Sequence, residues 1–362
     1  MVQSEKMIRQ KEDQLQFLRF FAFMNVFAMH SGGTWGLIPF DLAWNGAISA
    51  VSFFFMLSGM LVGHKAYGKN TEVSMKAICS DMRRKIRKIY PLHLLTTGIT
   101  VLNYGPAAAL VNDFRNSSEK LIQLAKNLLL IQSWFPENPF SYNVVSWYLS
   151  TLLFLYLLNL PAAAVLHRIE KKKHSKLIIW CLIAVLSLTT VAYNYAAYSF
   201  EDVHFWQYVF PLGRIGQYLL SILAGYLLHG LKIKCRERNR YKMWFTAAEI
   251  FALVLWIASL HQSTETWYSR QIAWIGPNLF LLAVFLIGQG WLSDLFRLKP
   301  LVFLGDISFE CYITHQIIIC LLVDANPVTP LASLLCIALT LGYTLLLAYF
   351  IHKRKRSFPR LL

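Results

Sequence analysis

An arginine and a histidine interrupt the apolar run QLQFLRFFAFMNVFAMHS, residues 14–31, and neither is at home in hydrocarbon. Arg19 lies near its start and His30 near its end. Their offset of eleven residues is about three turns of α-helix, so the two side chains share one face, about 16 Å apart along the axis. An imidazole can take and return a proton near neutral pH, and a guanidinium holds anionic oxygens. An arginine at the centre of a span costs roughly 2.5–3.5 kcal/mol on insertion scales. Two readings stay open for this stretch alone. Either the pair is a functional stripe, or Arg19 snorkels to water while His30 only bonds a neighbouring helix.

Other polar groups recur at intervals in apolar surroundings. In VSFFFMLSGMLVGHK, from Val51, Ser58 and Gly59 interrupt a bulky run, and Gly59 with Gly63 makes a small-residue pattern that permits close helix packing. MRRKIRKIYP, from Met82, sets Arg83, Arg84, Lys85, Arg87 and Lys88 just ahead of an apolar run. Such a cluster orients a membrane protein and meets lipid, or grips the phosphates of an anionic ligand. Trp147 and Tyr148 open another run at a depth that suits an aromatic belt. Arg214 lies inside FPLGRIGQYLLSILAGY, where a cavity or a partner carboxylate is expected. In LGDISFECYITHQIII, from Leu304, Ser308, Tyr312 and His315 are spaced four and three apart and share a helix face, which points to a solvated cavity.

The elements that would position these groups are membrane helices. Of 362 residues 56% are hydrophobic and only 15% charged, against about 25% charged in soluble domains. The expected fold class is therefore all-α, a polytopic membrane protein with about ten transmembrane helices. Apolar segments fall at 15–37, 46–64, 90–111, 143–166, 177–198, 205–229, 244–261, 271–292, 301–323 and 331–351, each near the roughly 20 residues a bilayer needs. The connections alternate in charge: three basic residues in 1–14, eight in 65–89, five in 167–176, six in 230–243, two in 293–300 and five after 351. Opposite them stand only Arg115, Lys120, Lys126 and Arg270. The positive-inside rule then puts both termini in the cytoplasm.

The expected domains are a cytoplasmic segment 1–14, one transmembrane domain 15–351 and a basic tail 352–362. The apolar run after the first charges is too long for a cleaved leader and ends without a small-residue site, so a retained first helix is expected. The long outer connection, 112–142, holds a weakly apolar stretch, Leu121–Trp134, expected to be interfacial or re-entrant. The net charge of +16 lies in the cytoplasmic connections, which argues against a nucleic-acid partner. Six cysteines without a C-x-x-C pair argue against a disulfide framework or a metal site.

Together these motifs make the chain resemble the acyltransferase-3 family of integral membrane acyltransferases. The resemblance rests on R-x10-H (Arg19, His30), F-F-x-x-S-G (Phe54, Phe55, Ser58, Gly59) and a basic run ending in proline (Arg84, Lys85, Lys88, Pro91). A tryptophan opening the fourth span (Trp147) and L-G-x-I-S-F-x-x-Y-x-x-H (Gly305, Ser308, Tyr312, His315) complete it. Three departures stand out: Ser52 where many members have an acid, Leu152 where many have a glutamate, and Lys88 where the family has an arginine.

The resemblance implies transfer of an acyl group, usually acetyl from acetyl-CoA, to a hydroxyl of a cell-surface glycan or its lipid-linked precursor. The site it implies has His30 as general base, or as carrier in an acyl-histidine relay, with Arg19 beside it. Arg83, Arg84, Lys85, Arg87 and Lys88 would hold the acyl-CoA phosphates or pantetheine arm, with Ser58 in the same donor site. Arg214, Trp147, Ser308, Tyr312 and His315 would serve the acceptor or the oxyanion. No metal is implied; acyl-CoA is the co-substrate and membrane lipids are the surroundings. A bacterial plasma membrane is the expected location. A glycan or lipid flippase using the same polar groups without chemistry is the alternative. A second enzyme class, the other large group of membrane O-acyltransferases, would rest on a late histidine instead.

Overall fold

The computed structural model describes residues 12–69, 73–102, 117–236, 241–263, 265–322 and 329–357. Among these every regular element is helical. The first helix, α1 (Gln14–Trp35), ends where Gly36 turns into the left-handed region at φ +67°, a conformation glycine adopts without steric cost. After Pro39 the chain enters α2 (Phe40–Ala66). α3 (Met75–Leu102) carries Pro91 inside it, and α4 (Ser117–Leu128) follows. α5 (Trp147–Leu157) and α6 (Asn159–Glu170) form one apolar rod, antecedent to α7 (Ser175–Ala197). Then come α8 (Ile215–Arg236), α9 (Lys242–Ser259), α10 (Ile272–Ile287) and the short α11 (Trp291–Phe296). α12 (Lys299–Asp306) and α13 (Ser308–Leu322) meet at a 57° bend, and α14 (Pro330–Ser357) closes the chain.

Five described helices are long and apolar enough to cross a membrane, and the bent α12–α13 pair makes a sixth. α1, α3 and α8 are long but carry polar residues along their length, and α10 has sixteen residues. The outer helices expose apolar side chains in quantity: Leu177, Trp180 and Leu188 on α7, Trp244 and Phe251 on α9, Leu334 on α14. Water would penalise such a surface and lipid does not. The protein is a multi-pass membrane protein.

At the centre, α1 and α2 lie side by side and α2 runs along α8 over its most extensive contact. Glycine makes that contact possible. A Cβ on Gly63 would strike the Ile222 carbonyl, and one on Gly225 would strike that of Met60, so the two backbones touch. The small-residue pattern in α2 is thus a packing device.

Three expectations about elements change. The basic run 83–88 lies within helix α3, which begins at Met75, and not in a loop. The sixth segment is broken: Phe205–Val209 form a π turn, Phe210 is extended and Pro211–Arg214 a 3-10 turn before α8 starts. Pro211 has no N–H to offer an α-helical ladder, which is one reason for the break. Trp147 and Tyr148 are buried in the core and form no outer belt, because α5 is surrounded by other helices there. The stretch 121–134 is a helix followed by a short 3-10 turn, tied back into the bundle. Tyr90 Oη donates to the Leu128 carbonyl at 2.8 Å, Asn127 Nδ2 to Ser141 Oγ at 2.8 Å, and the Ser133 and Ser150 hydroxyls meet at 2.6 Å. Most of the segment 1–14 lies outside the described residues, as do 103–111 of the third apolar run and 112–116 of the outer connection; residues 352–357 continue α14.

Candidate active site

His30 and His315 come together although 285 residues separate them. Their rings stack at 5.1 Å, nearly parallel at 11°, and His30 Nδ1 lies 2.8 Å from His315 Nε2. His315 is fully buried, and the rings of Phe23 and Phe27 meet it edge-on. Its Nδ1 faces the carbonyls of Tyr312 at 2.7 Å and Cys311 at 3.2 Å. Carbonyls only accept, so this network assigns the His315 proton to Nδ1 and leaves Nε2 as an acceptor. His30 Nδ1–H then donates to it, and His30 Nε2 becomes the proton-accepting nitrogen of the half-buried ring. The arrangement orients His30 and offers a hydrogen-bond acceptor to its charged form.

Local structure holds α13 in this place. At the bend Ser308 Oγ donates to the Gly305 carbonyl, and a Cβ on Gly305 would strike the backbone of Gln16, so α12 lies tight against α1. Tyr312 Oη donates to the Val145 carbonyl at 3.1 Å and Asn143 Nδ2 to that of Ile313 at 3.0 Å, which pins α13 to the turn before α5. Ser308 therefore serves the bend and is not brought to the histidine pair. Tyr312 stands one ring away from it, at 5.9 Å from His315.

Arg19 lies at the other end of α1, half-buried, with Gln16 Oε1 3.4 Å from its Nη1. Its charge is within reach of Lys65, Tyr148 and Tyr156. Ser58 bonds Tyr156 and Tyr218, and Tyr218 Oη donates to Asn159 Oδ1 at 2.6 Å. The basic run divides here. Lys85 turns inward, with Nζ 4.2 Å from the Tyr156 ring centroid and 2.7 Å from Asp81 Oδ2. Burial draws its ammonium below the ordinary lysine pKa, and the Asp81 hydrogen bond and charge push the other way. Arg83, Arg84, Arg87 and Lys88 are exposed, and Arg84 pairs with Asp81. Helical spacing explains part of the split, since 83 and 87 lie on the face opposite 81 and 85, while 84 and 88 flank Asp81 at its edge.

Between the two ends sits Arg214, fully buried. Its Nε donates to the Tyr208 carbonyl at 2.8 Å, its Nη1 lies 3.4 Å from Ser52 Oγ, and its guanidinium rests on the rings of Tyr208 (4.7 Å) and Phe55 (5.6 Å). No carboxylate pairs with it among the described residues; carbonyl, hydroxyl and ring faces take that part. Trp147 packs on Tyr208 at 4.9 Å and so backs this cage. Rings continue the path: Phe55 to Tyr148 at 4.6 Å, Tyr148 to Tyr312 at 5.4 Å, Tyr312 to His315. Reading the sequence missed Lys65 and Tyr156 as neighbours of these groups, and passed over the fully buried Gln217. Only Gln217 left a local sign, standing three residues after Arg214 and hence on its face.

The family profile described as "Acyltransferase domain" matches residues 12–353. The chain belongs to the acyltransferase-3 family. It is similar to the acyltransferase MdmB of Streptomyces mycarofaciens, 26% identical over an alignment of 329 positions that covers 83% of this chain and 77% of that protein. No solved structure matches the chain. As a member of this family the protein is an acyltransferase of the membrane. Two of its departures from the family pattern have a place in the structure. Ser52 is the residue that meets Arg214, and Leu152 is buried among apolar side chains, where a carboxylate would lack a partner. Lys88 is exposed, within electrostatic reach of Lys65.

Proposed function

We propose that the protein moves an acyl group, acetyl in the first case, from acyl-CoA on the cytoplasmic side to a hydroxyl of a cell-surface polysaccharide or its lipid-linked precursor. The setting is a bacterial plasma membrane, which the chain crosses ten times with both termini in the cytoplasm. The observation that carries the reading is the His30–His315 pair, held at 2.8 Å and joined to the Arg19 end by one helix face. In the step, the acceptor oxygen attacks the thioester carbonyl while its proton passes to His30 Nε2. The C–O bond forms, the C–S bond breaks, and the imidazolium returns the proton to the CoA sulfur. Accepting the Nδ1–H, His315 steadies the charge that His30 gains. Arg19, Lys65 and Lys88 favour the anionic end of the donor.

A positioned general base contributes about 10²–10⁴-fold. His30→Ala is expected to lower transfer of labelled acetyl from acetyl-CoA in membranes by that amount, with the protein still present at wild-type level. Transfer at the wild-type rate would sink the reading. A dispensable His30 beside an essential His315 would instead favour the other class of membrane O-acyltransferases, and acceptor movement without CoA release would favour a flippase.

A further inference from the structure

Three polar atoms where the 3-10 turn Pro211–Arg214 runs into the first turn of α8 meet no hydrogen-bonding partner among the described residues: Arg214 Nη2, Gln217 Nε2 and Gln217 Oε1. Both side chains are fully buried, and their spacing of three puts them on one face. Leaving such atoms unmatched costs about 1–3 kcal/mol each, and an apolar side chain in place of Gln217 would avoid it. The face is therefore built for a ligand group that accepts two hydrogen bonds and donates one. A secondary amide does both, through its C=O and its N–H.

The surroundings discriminate between ligands. Besides Ser52 Oγ, the Tyr208 carbonyl and the nearby Tyr193 phenol, the guanidinium meets the ring faces of Phe55 and Tyr208. A sugar brings many hydroxyls and would need many partners; an arm of methylenes with isolated amides would not. Placement agrees. Ser58, bonded to Tyr156 and Tyr218, marks the Arg19 end of α2, and Ser52 reaches Arg214 six residues away, about 9 Å along the helix. From there Phe55, Tyr148 and Tyr312 lead to the histidines. We infer that Arg214 and Gln217 seat an amide of the pantetheine arm as it runs from the Arg19 end to the His30–His315 pair. This rests on acyl-CoA being the donor.

The test compares binding of CoA with binding of adenosine 3′,5′-bisphosphate, which lacks the arm, to the full-length protein in detergent. Gln217→Leu is expected to lower the ratio of the two affinities about tenfold, the size of one lost buried hydrogen-bonding group. Gln217→Met, nearer in shape, reads the same ratio if the leucine variant does not accumulate. An unchanged ratio in a folded variant overturns the amide seat while leaving the donor reading intact. Failure of the wild-type protein to bind CoA at all overturns the donor reading, and the seat with it.

Discussion

Two fully buried charges in this protein are treated in opposite ways. Glu249, on α9, accepts from the N–H groups of Gly290, Leu292 and Ser293 at 3.0–3.3 Å and from the Ser293 hydroxyl at 2.5 Å. It caps α11, whose first N–H groups have no partner within the helix. A Cβ on Gly290 would collide with its carboxylate, so the chain makes room for it. Arg214 has a carbonyl, a distant hydroxyl, two rings, and one nitrogen unmatched among the described residues. The first is a closed structural joint. The second keeps hydrogen-bonding capacity inside hydrocarbon, and that is where a ligand gains most from supplying a partner.

The contrast can be broken by substitution. Glu249→Ala should have the largest effect on stability, because it strips partners from four donors, three of them buried and worth about 1–3 kcal/mol each. The variant is expected to fail to accumulate or to unfold at much lower temperature in detergent, and a melting midpoint within two or three degrees of wild type would refute the account of α11. Ser52→Asp should move stability the other way. An aspartate there gives Arg214 a charged partner, so the midpoint should rise by the equivalent of about 1 kcal/mol. A fall would mean that Arg214 is already sufficiently matched. The smallest effects belong to the exposed face of α3. Arg83→Ala with Arg87→Ala should change apparent acetyl-CoA affinity less than about threefold, as expected of solvated charges, whereas Lys85→Ala should change it more. Equal effects from the two faces would restore the basic run as one undivided donor site.

How much could be read without tertiary structure follows from the range of each interaction. Arg19 and His30 share a face because eleven residues of one helix separate them, and helix geometry is local. That Lys85 points away from Arg83 and Arg87 was equally available from spacing, once the run was taken as helix; reading it as a loop hid Lys85's separate direction. Trp147 and Tyr148 were misplaced in a belt for a different reason. Hydropathy reports depth in the membrane but not whether a helix face meets lipid or another helix, and both residues face the core.

By itself the sequence determined the membrane class, the helical fold, the family and the stripe on α1, since composition, periodicity and charge asymmetry act through solvent and near neighbours. Tertiary structure alone decided that His30 meets His315 across 285 residues, that Ser52 stands against Arg214, and that Ser308 serves a bend. These depend on backbone contacts such as Gly63 on Ile222 and Gly305 on Gln16, which set helix against helix at a distance no local pattern encodes.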